Sequence, residues 1–184
     1  LSLRRIRLRA QRLKAQALSG PDTLRKKFIR SLPFPLTAAQ QRVIEALLHD
    51  LSAAHPMMRL VQGDVGSGKT VVAAAVAVQA VASGCQVAIM APTELLAEQH
   101  FSNFEAWFEA LGIRVGWLTG KIKGKARAAV LEDMANGDVQ LVIGTHALFQ
   151  DDVEFRNLGL VIIDEQHRFG VHQRLALRDK GRMQ

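Results

Sequence analysis

The spacing of apolar positions changes partway along the chain. Over residues 1–18, Leu3, Ile6, Ala10, Leu13 and Ala17 recur at helical intervals with arginines between them, which predicts an amphipathic helix ended by Ser19-Gly20-Pro21-Asp22. A second helix is expected over 23–31. The segment Leu32-Pro33-Phe34-Pro35 then breaks the chain, and Thr37 is placed to cap a third helix over 38–51 before the Ala53-Ala54-His55-Pro56 loop. From residue 58 the pattern alternates short apolar runs, at 58–62, 86–91, 113–118, 139–143 and 158–163, with helix-length stretches. That alternation implies crossover connections and an α/β fold, a mostly parallel sheet flanked by helices. Ligands on such sheets sit at the carboxyl ends of the strands.

The first such strand end carries Gly63-Asp64-Val65-Gly66-Ser67-Gly68-Lys69-Thr70, which fits the phosphate-cradling pattern G-x-x-x-x-G-K-[ST]. A strand run precedes it and the Ala/Val-rich helix over 71–82 follows, the context this loop requires. A triphosphate is wrapped there by backbone N–H groups at a helix N-terminus, where the dipole favours negative charge. Gly63, Gly66 and Gly68 let the backbone approach the phosphates closely. Lys69 would bring its ammonium to the β- and γ-phosphates, and the Thr70 hydroxyl would ligate the bridging magnesium.

Composition narrows the setting. The 184 residues, 48% hydrophobic and 22% charged, suit a globular domain with one core. Cys85 is the single cysteine, so neither an intrachain disulfide nor a cysteine zinc cluster can form, in keeping with a reducing cytosol; Cys85 is expected to be buried and structural. The longest apolar run, 71–78, is too short to span a bilayer. The net charge of +7 is uneven: residues 1–30 hold ten Lys/Arg and one acid, the remainder fourteen Lys/Arg and sixteen acids. The basic segment can face nucleic-acid phosphate or form a solvated linker helix.

A second nucleotide element follows at Leu160-Val161-Ile162-Ile163, a buried-strand pattern ending in Asp164-Glu165. Asp164 would hold the magnesium ion through water, and Glu165 would activate the water that attacks the γ-phosphate. Together with the glycine loop, this pair points to nucleoside triphosphate hydrolysis. The guanine-reading N-K-x-D run of GTPases does not occur in the sequence.

Asp164-Glu165-Gln166-His167-Arg168-Phe169-Gly170 resembles the D-E-x-H box and following loop of superfamily 2 helicases, specifically the RecG branch-migration helicases. Ala91-Pro92-Thr93-Glu94-Leu95-Leu96-Ala97-Glu98-Gln99-His100 is similar to helicase motif Ia, Leu118-Thr119-Gly120 to Ib, and Gly144-Thr145-His146-Ala147-Leu148 to Ic, in family order over residues 32–178. Phe34-Pro35-Leu36-Thr37-Ala38-Ala39-Gln40 resembles the adenine-reading Q motif. The transcription-repair coupling translocases are similar across the same motifs, but their box more often reads D-E-E-H.

The resemblance implies a P-loop, RecA-like ATPase lobe over 32–184, the first of two, preceded by a basic helical connector over 1–31. It implies ATP and Mg²⁺ as cofactors, Gln40 as the adenine contact, and Phe34 as either a base stack or a staple for the following helix. Thr93, Thr119, Gly120, Thr145 and His146 would contact the DNA backbone, with helix capping the competing role for Thr93. The basic group Lys121, Lys123, Lys125 and Arg127 would extend that track or be simply solvated. His167 would couple hydrolysis to DNA or to the partner lobe. His49, His55, His100 and His172 are expected to have no special role, and Phe101, Phe104, Trp107 and Phe108 to pack in the core. The whole protein would be a bacterial cytoplasmic, nucleoid-associated helicase remodelling stalled forks and branched duplex DNA with a second lobe and a wedge domain. A nucleotide-switched, non-catalytic binding module is the rival outside the enzyme class.

Overall fold

The computed structural model describes residues 20–52, 59–62 and 68–165, with side chains described over 20–49 and 68–164. The helix expected over 1–18 and His55 lie outside the described residues. The elements are α1 (Thr23–Ser31), α2 (Ala38–Ser52), β1 (Arg59–Gln62), α3 (Lys69–Ala82), β2 (Gln86–Met90), α4 (Glu94–Glu109), β3 (Val115–Leu118), α5 (Gly124–Asn136), β4 (Leu141–Gly144), a 3₁₀ turn (His146–Phe149) and β5 (Leu158–Glu165). Among the described residues the strands form one parallel sheet in the order β1-β5-β2-β4-β3.

Alternation along the strands buries both faces. Val87, Ile89, Leu141, Ile143, Leu160 and Ile162 join the core under α1–α4, whereas Ala88, Val142, Val161 and Ile163 join the core under α5 and the 3₁₀ turn. Leu158 faces the second core although Leu160 faces the first. A bulge explains the switch: Gln86 pairs with Leu158 and Val87 with Leu160, so Gly159 is skipped. A Cβ at Gly159 would lie 2.5 Å from Cys85 Sγ, so glycine leaves room for the thiol. Cys85 is buried as expected, and burial pushes its thiol pKa up.

Strands β3 and β4 each start two residues later than the sequence pattern suggests. Ile113 N–H donates to the Phe108 carbonyl at 3.0 Å and Val139 N–H to Asp133 at 3.2 Å, so both residues close the preceding helix instead of opening a strand. β5 runs two residues longer, because β1 pairs alongside it as far as Gln62 with Glu165.

Helix α3 is buried along its whole length from Thr70 to Val81, sandwiched between the sheet and the outer helices α1 and α2. A helix apolar on all sides needs such double cover. Its one long buried polar side chain, Gln79, is satisfied by α1 and the residues just before it: Nε2 donates to the Gly20 carbonyl at 2.8 Å and Oε1 accepts from Arg25 Nε at 3.1 Å. Phe28 of α1 is fully buried, edge-on to Trp107 at 5.9 Å and Phe108 at 6.1 Å. Phe104 and Phe108 are buried and Phe101 and Trp107 partly so, the packing role expected of this aromatic group.

Candidate functional site

Register places the candidate residues along one edge of the sheet. Met90 pairs with Gly144 and with Ile163, and Leu118 pairs with Gly144, so Ala91, Thr119, Thr145 and Asp164 follow at one level; Val61 lies opposite Asp164. The order of strands divides this rim. β1 and β5 carry the nucleotide candidates, and β2, β4 and β3 carry the DNA candidates.

On the nucleotide side, Gly63, Asp64, Val65, Gly66 and Ser67 lie outside the described residues, and the description resumes at Gly68. Gly68 has φ +69°, the left-handed region, directly before α3. Lys69 opens that helix with an exposed side chain, and Thr70 is buried behind it. Gln40 reaches this turn from α2. Its Nε2 donates to the Gly68 carbonyl at 3.3 Å, and a Cβ on Gly68 would collide with that nitrogen.

The same Gln40 side chain also closes the start of α2. Thr37 N–H donates to Gln40 Oε1 at 2.9 Å while Gln40 N–H donates to Thr37 Oγ1 at 3.1 Å, a reciprocal capping box. A carboxamide has two N–H donors and two acceptor lone pairs, so one of each remains for a ligand. Leu36, directly before the cap, is buried, whereas Phe34 is 46% exposed. Of the two roles expected for Phe34, packing at the helix start is filled by Leu36, which joins the core, while the Phe34 ring is about half exposed.

Asp164 emerges from β5 on the same sheet face as Leu160 and Ile162, the face covered by α3 and α4. It is only 4% exposed. One carboxylate oxygen, Oδ2, lies 2.7 Å from His100 Nε2 of α4. The other, Oδ1, is the one buried side-chain N or O atom among the described residues with no hydrogen-bond partner. Such an atom is costly to bury, so it marks a position where a ligand, ion or water belongs. The side chain of Glu165, His167 and the loop Arg168-Phe169-Gly170, and His172, lie outside the described residues.

His100 was expected to be unremarkable, and the structure brings it to the centre of the site. The signal in the sequence is a polar residue on an apolar stripe: Ala97, His100, Phe104 and Phe108 are the buried positions of α4. Its partner, 64 residues away, has no local signature.

On the DNA side, each candidate threonine oxygen serves a turn. Thr93 caps α4, accepting from Leu96 N–H at 3.2 Å; Thr119 accepts from Lys121 N–H at 3.3 Å; Thr145 accepts from Ala147 N–H at 3.4 Å. Thr119 is 2% exposed and Thr145 is buried too, while Gly120 and His146 beside them face outward. A Cβ on Gly144 would run into the Leu118 carbonyl, so glycine allows these two loops to approach. In the basic group, Lys121 pairs with Glu94 at 3.0 Å and Arg127 binds Asp152 at 2.9 Å and Gln150 at 2.8 Å. Lys123 and Lys125 are exposed.

The nucleotide candidates thus stand at strand ends beside a row of polar loop ends, and the family model described as DEAD/DEAH box helicase matches residues 37–182. The chain belongs to the DEAD/DEAH box helicase family. Among curated members, the ATP-dependent DNA helicase RecG of Escherichia coli strain K12 is 61% identical over the whole chain, and RecG of Bacillus subtilis strain 168 is 53% identical over 90% of it. The chain spans about a quarter of the length of these relatives, 27% and 24% respectively. A structure of RecG bound to a three-way DNA junction superposes with a TM-score of 0.75 at 43% identity, over 91% of this chain and 23% of that one. A hypothetical ATP-dependent RNA helicase from Sulfolobus tokodaii, 17% identical with a TM-score of 0.56 over 86% of this chain and 54% of that one, shares the fold. The parallel sheet flanked by helices is thus the RecA-like helicase fold. No helix among the described residues is long and apolar enough to cross a membrane.

Proposed function

We propose that this chain is the first motor lobe of an ATP-dependent DNA helicase of the RecG type, with a basic helical connector over 1–31 and the lobe over 32–184. The whole protein would bind duplex and branched DNA, including junctions, and use ATP hydrolysis to remodel stalled forks and recombination intermediates in the bacterial cytoplasm, at the nucleoid. The rest of the machine, a second RecA-like lobe and a DNA-splitting wedge domain, belongs to the part of such proteins that this chain does not span.

One observation carries the reading most strongly: the unpartnered Oδ1 of buried Asp164, on the strand next to the one that leads into residues 63–70. A hard divalent cation takes oxygen ligands, so this atom and the Thr70 hydroxyl fit a magnesium ion held with a triphosphate. When bound, that ion would neutralise charge on the phosphates. The chain's own groups do the rest: Gly63 to Gly68 cradle phosphate, Lys69 reaches it, Gln40 offers its remaining donor and acceptor to adenine with Phe34 alongside, and Glu165 orients the attacking water. On the DNA side, Thr93, Gly120 and His146 meet phosphates from outside, while Thr119 and Thr145 shape the loops that present them; His167 links the two halves.

The test is Lys69→Ala in the full-length helicase. Loss of one preorganised charge contact lowers turnover by about 10²–10³. Fork-DNA affinity should stay within about twofold, since Lys69 lies on the nucleotide half. Undiminished ATP hydrolysis would remove Lys69 from the catalytic machinery and with it this reading.

A further inference from the structure

We propose that His100 is a positioning residue for magnesium–nucleotide binding: its imidazole fixes one oxygen of Asp164 so that the other is presented to the metal. The proposal rests on the reading of Asp164 as the magnesium-holding carboxylate. A carboxylate only accepts hydrogen bonds, so at 2.7 Å the imidazole Nε2 carries the hydrogen and donates it to Oδ2. Both side chains are nearly sealed from water, with 6% and 3% of their surface accessible. Charge-assisted bonds of this length in a dry setting define geometry, because no solvent competes for either group.

The imidazole is itself held. His100 sits on the buried stripe of α4 and meets the Phe104 ring edge-on at 6.4 Å, and Phe104 is locked against Trp107 and Phe108 at 5.7 and 5.4 Å. The carboxylate is thus held with Oδ2 occupied and Oδ1 unpartnered. Groups that orient a metal-holding carboxylate act through it, and their removal typically costs about 10–100-fold in metal affinity. Helix α4 is also capped by Thr93, a candidate DNA contact, so the residue that sets the carboxylate lies on the helix which that candidate caps.

The experiment measures ADP binding to the full-length protein by calorimetry, in EDTA and across a Mg²⁺ titration, for His100→Leu, His100→Gln and Asp164→Asn. His100→Leu should bind ADP in EDTA like the parent but need about 10–100-fold more Mg²⁺ to reach the tight state. His100→Gln keeps a donor near the position of Nε2 and should restore most of the response. An unchanged Mg²⁺ midpoint in His100→Leu, alongside a lost response in Asp164→Asn, overturns the role of His100 alone. Asp164→Asn with an unchanged midpoint overturns the magnesium reading of Asp164 beneath it. If His100→Leu fails to fold, His100→Asn replaces it: its amide is too short to reach Oδ2, so a Mg²⁺ defect in Asn but not in Gln supports the proposal. Equal behaviour of Asn and Gln overturns it.

Discussion

The two halves of the strand-end rim treat their polar groups in opposite ways. On the β2–β4–β3 side the three candidate threonine oxygens are taken up by backbone N–H groups of their own loops, and two of those threonines are buried. On the β1–β5 side the buried carboxylate of Asp164 keeps one oxygen unpartnered among the described residues. A rim that must hold its shape against a long polyanion satisfies its polar side chains internally and offers exposed glycine, imidazole and lysine outward. A pocket that closes around a small, highly charged ligand keeps an unmet acceptor in reserve, at a cost in stability.

The strongest way to break this comparison is to exchange effects across it. Asp164→Asn keeps shape and can still accept from His100, so the thermal midpoint should shift by no more than about 2–4 °C, the equivalent of about 1 kcal/mol at this size. ATP turnover in the full-length helicase should fall by about 10²-fold or more. Thr145→Val should do the reverse. It leaves the buried Ala147 N–H unmet, which costs about 1–3 kcal/mol in urea unfolding, with turnover at saturating DNA nearly unchanged. A Thr145→Val protein of full stability but weakened DNA binding would show the hydroxyl to be a direct contact and would erase the distinction.

A smaller effect sharpens the nucleotide side. Gly68→Ala forces an L-residue to φ +69°, worth about 1–2 kcal/mol, and pushes a Cβ into Gln40 Nε2. The bond between Gln40 and the Gly68 carbonyl should be lost, and with it the tie between the capping box and the phosphate loop. Nucleotide affinity measured by calorimetry should drop while DNA affinity holds. If Gln40→Ala reproduces the loss and adds nothing to Gly68→Ala, the two residues act as one unit.

Much of this architecture was legible in the sequence because a parallel sheet buried on both faces writes its strands as apolar runs. The rest depended on pairs separated along the chain. Nothing near Cys85 announces that Gly159 must skip a partner for it, and nothing near His100 announces Asp164. Gln40 was a partial case: the Thr37-x-x-Gln40 spacing is a capping-box signature that could be read locally, but its second bond, to Gly68, is tertiary. The threonines show the limit of motif resemblance. Their place at strand ends followed from the pattern, whereas which way each hydroxyl is used depends on loop geometry that the pattern does not encode.

The smallest expected effect tests the outward face of the DNA half. Lys121 and Arg127 are engaged with Glu94 and with Gln150 and Asp152, while Lys123 and Lys125 make no ion pair among the described residues. A lysine on a phosphate releases counterion, so each such contact adds about 0.9 to the slope of log affinity against log salt on duplex DNA. Lys123→Gln should therefore flatten that slope by about 0.9 without moving the thermal midpoint. Arg127→Gln should leave the slope nearly as it was and lower stability slightly, because the exposed Asp152 pair is worth at most about 1 kcal/mol. If Arg127→Gln instead changes the slope and Lys123→Gln does not, the ion pair with Asp152 must open on DNA, and the rim is less self-satisfied than the free lobe makes it.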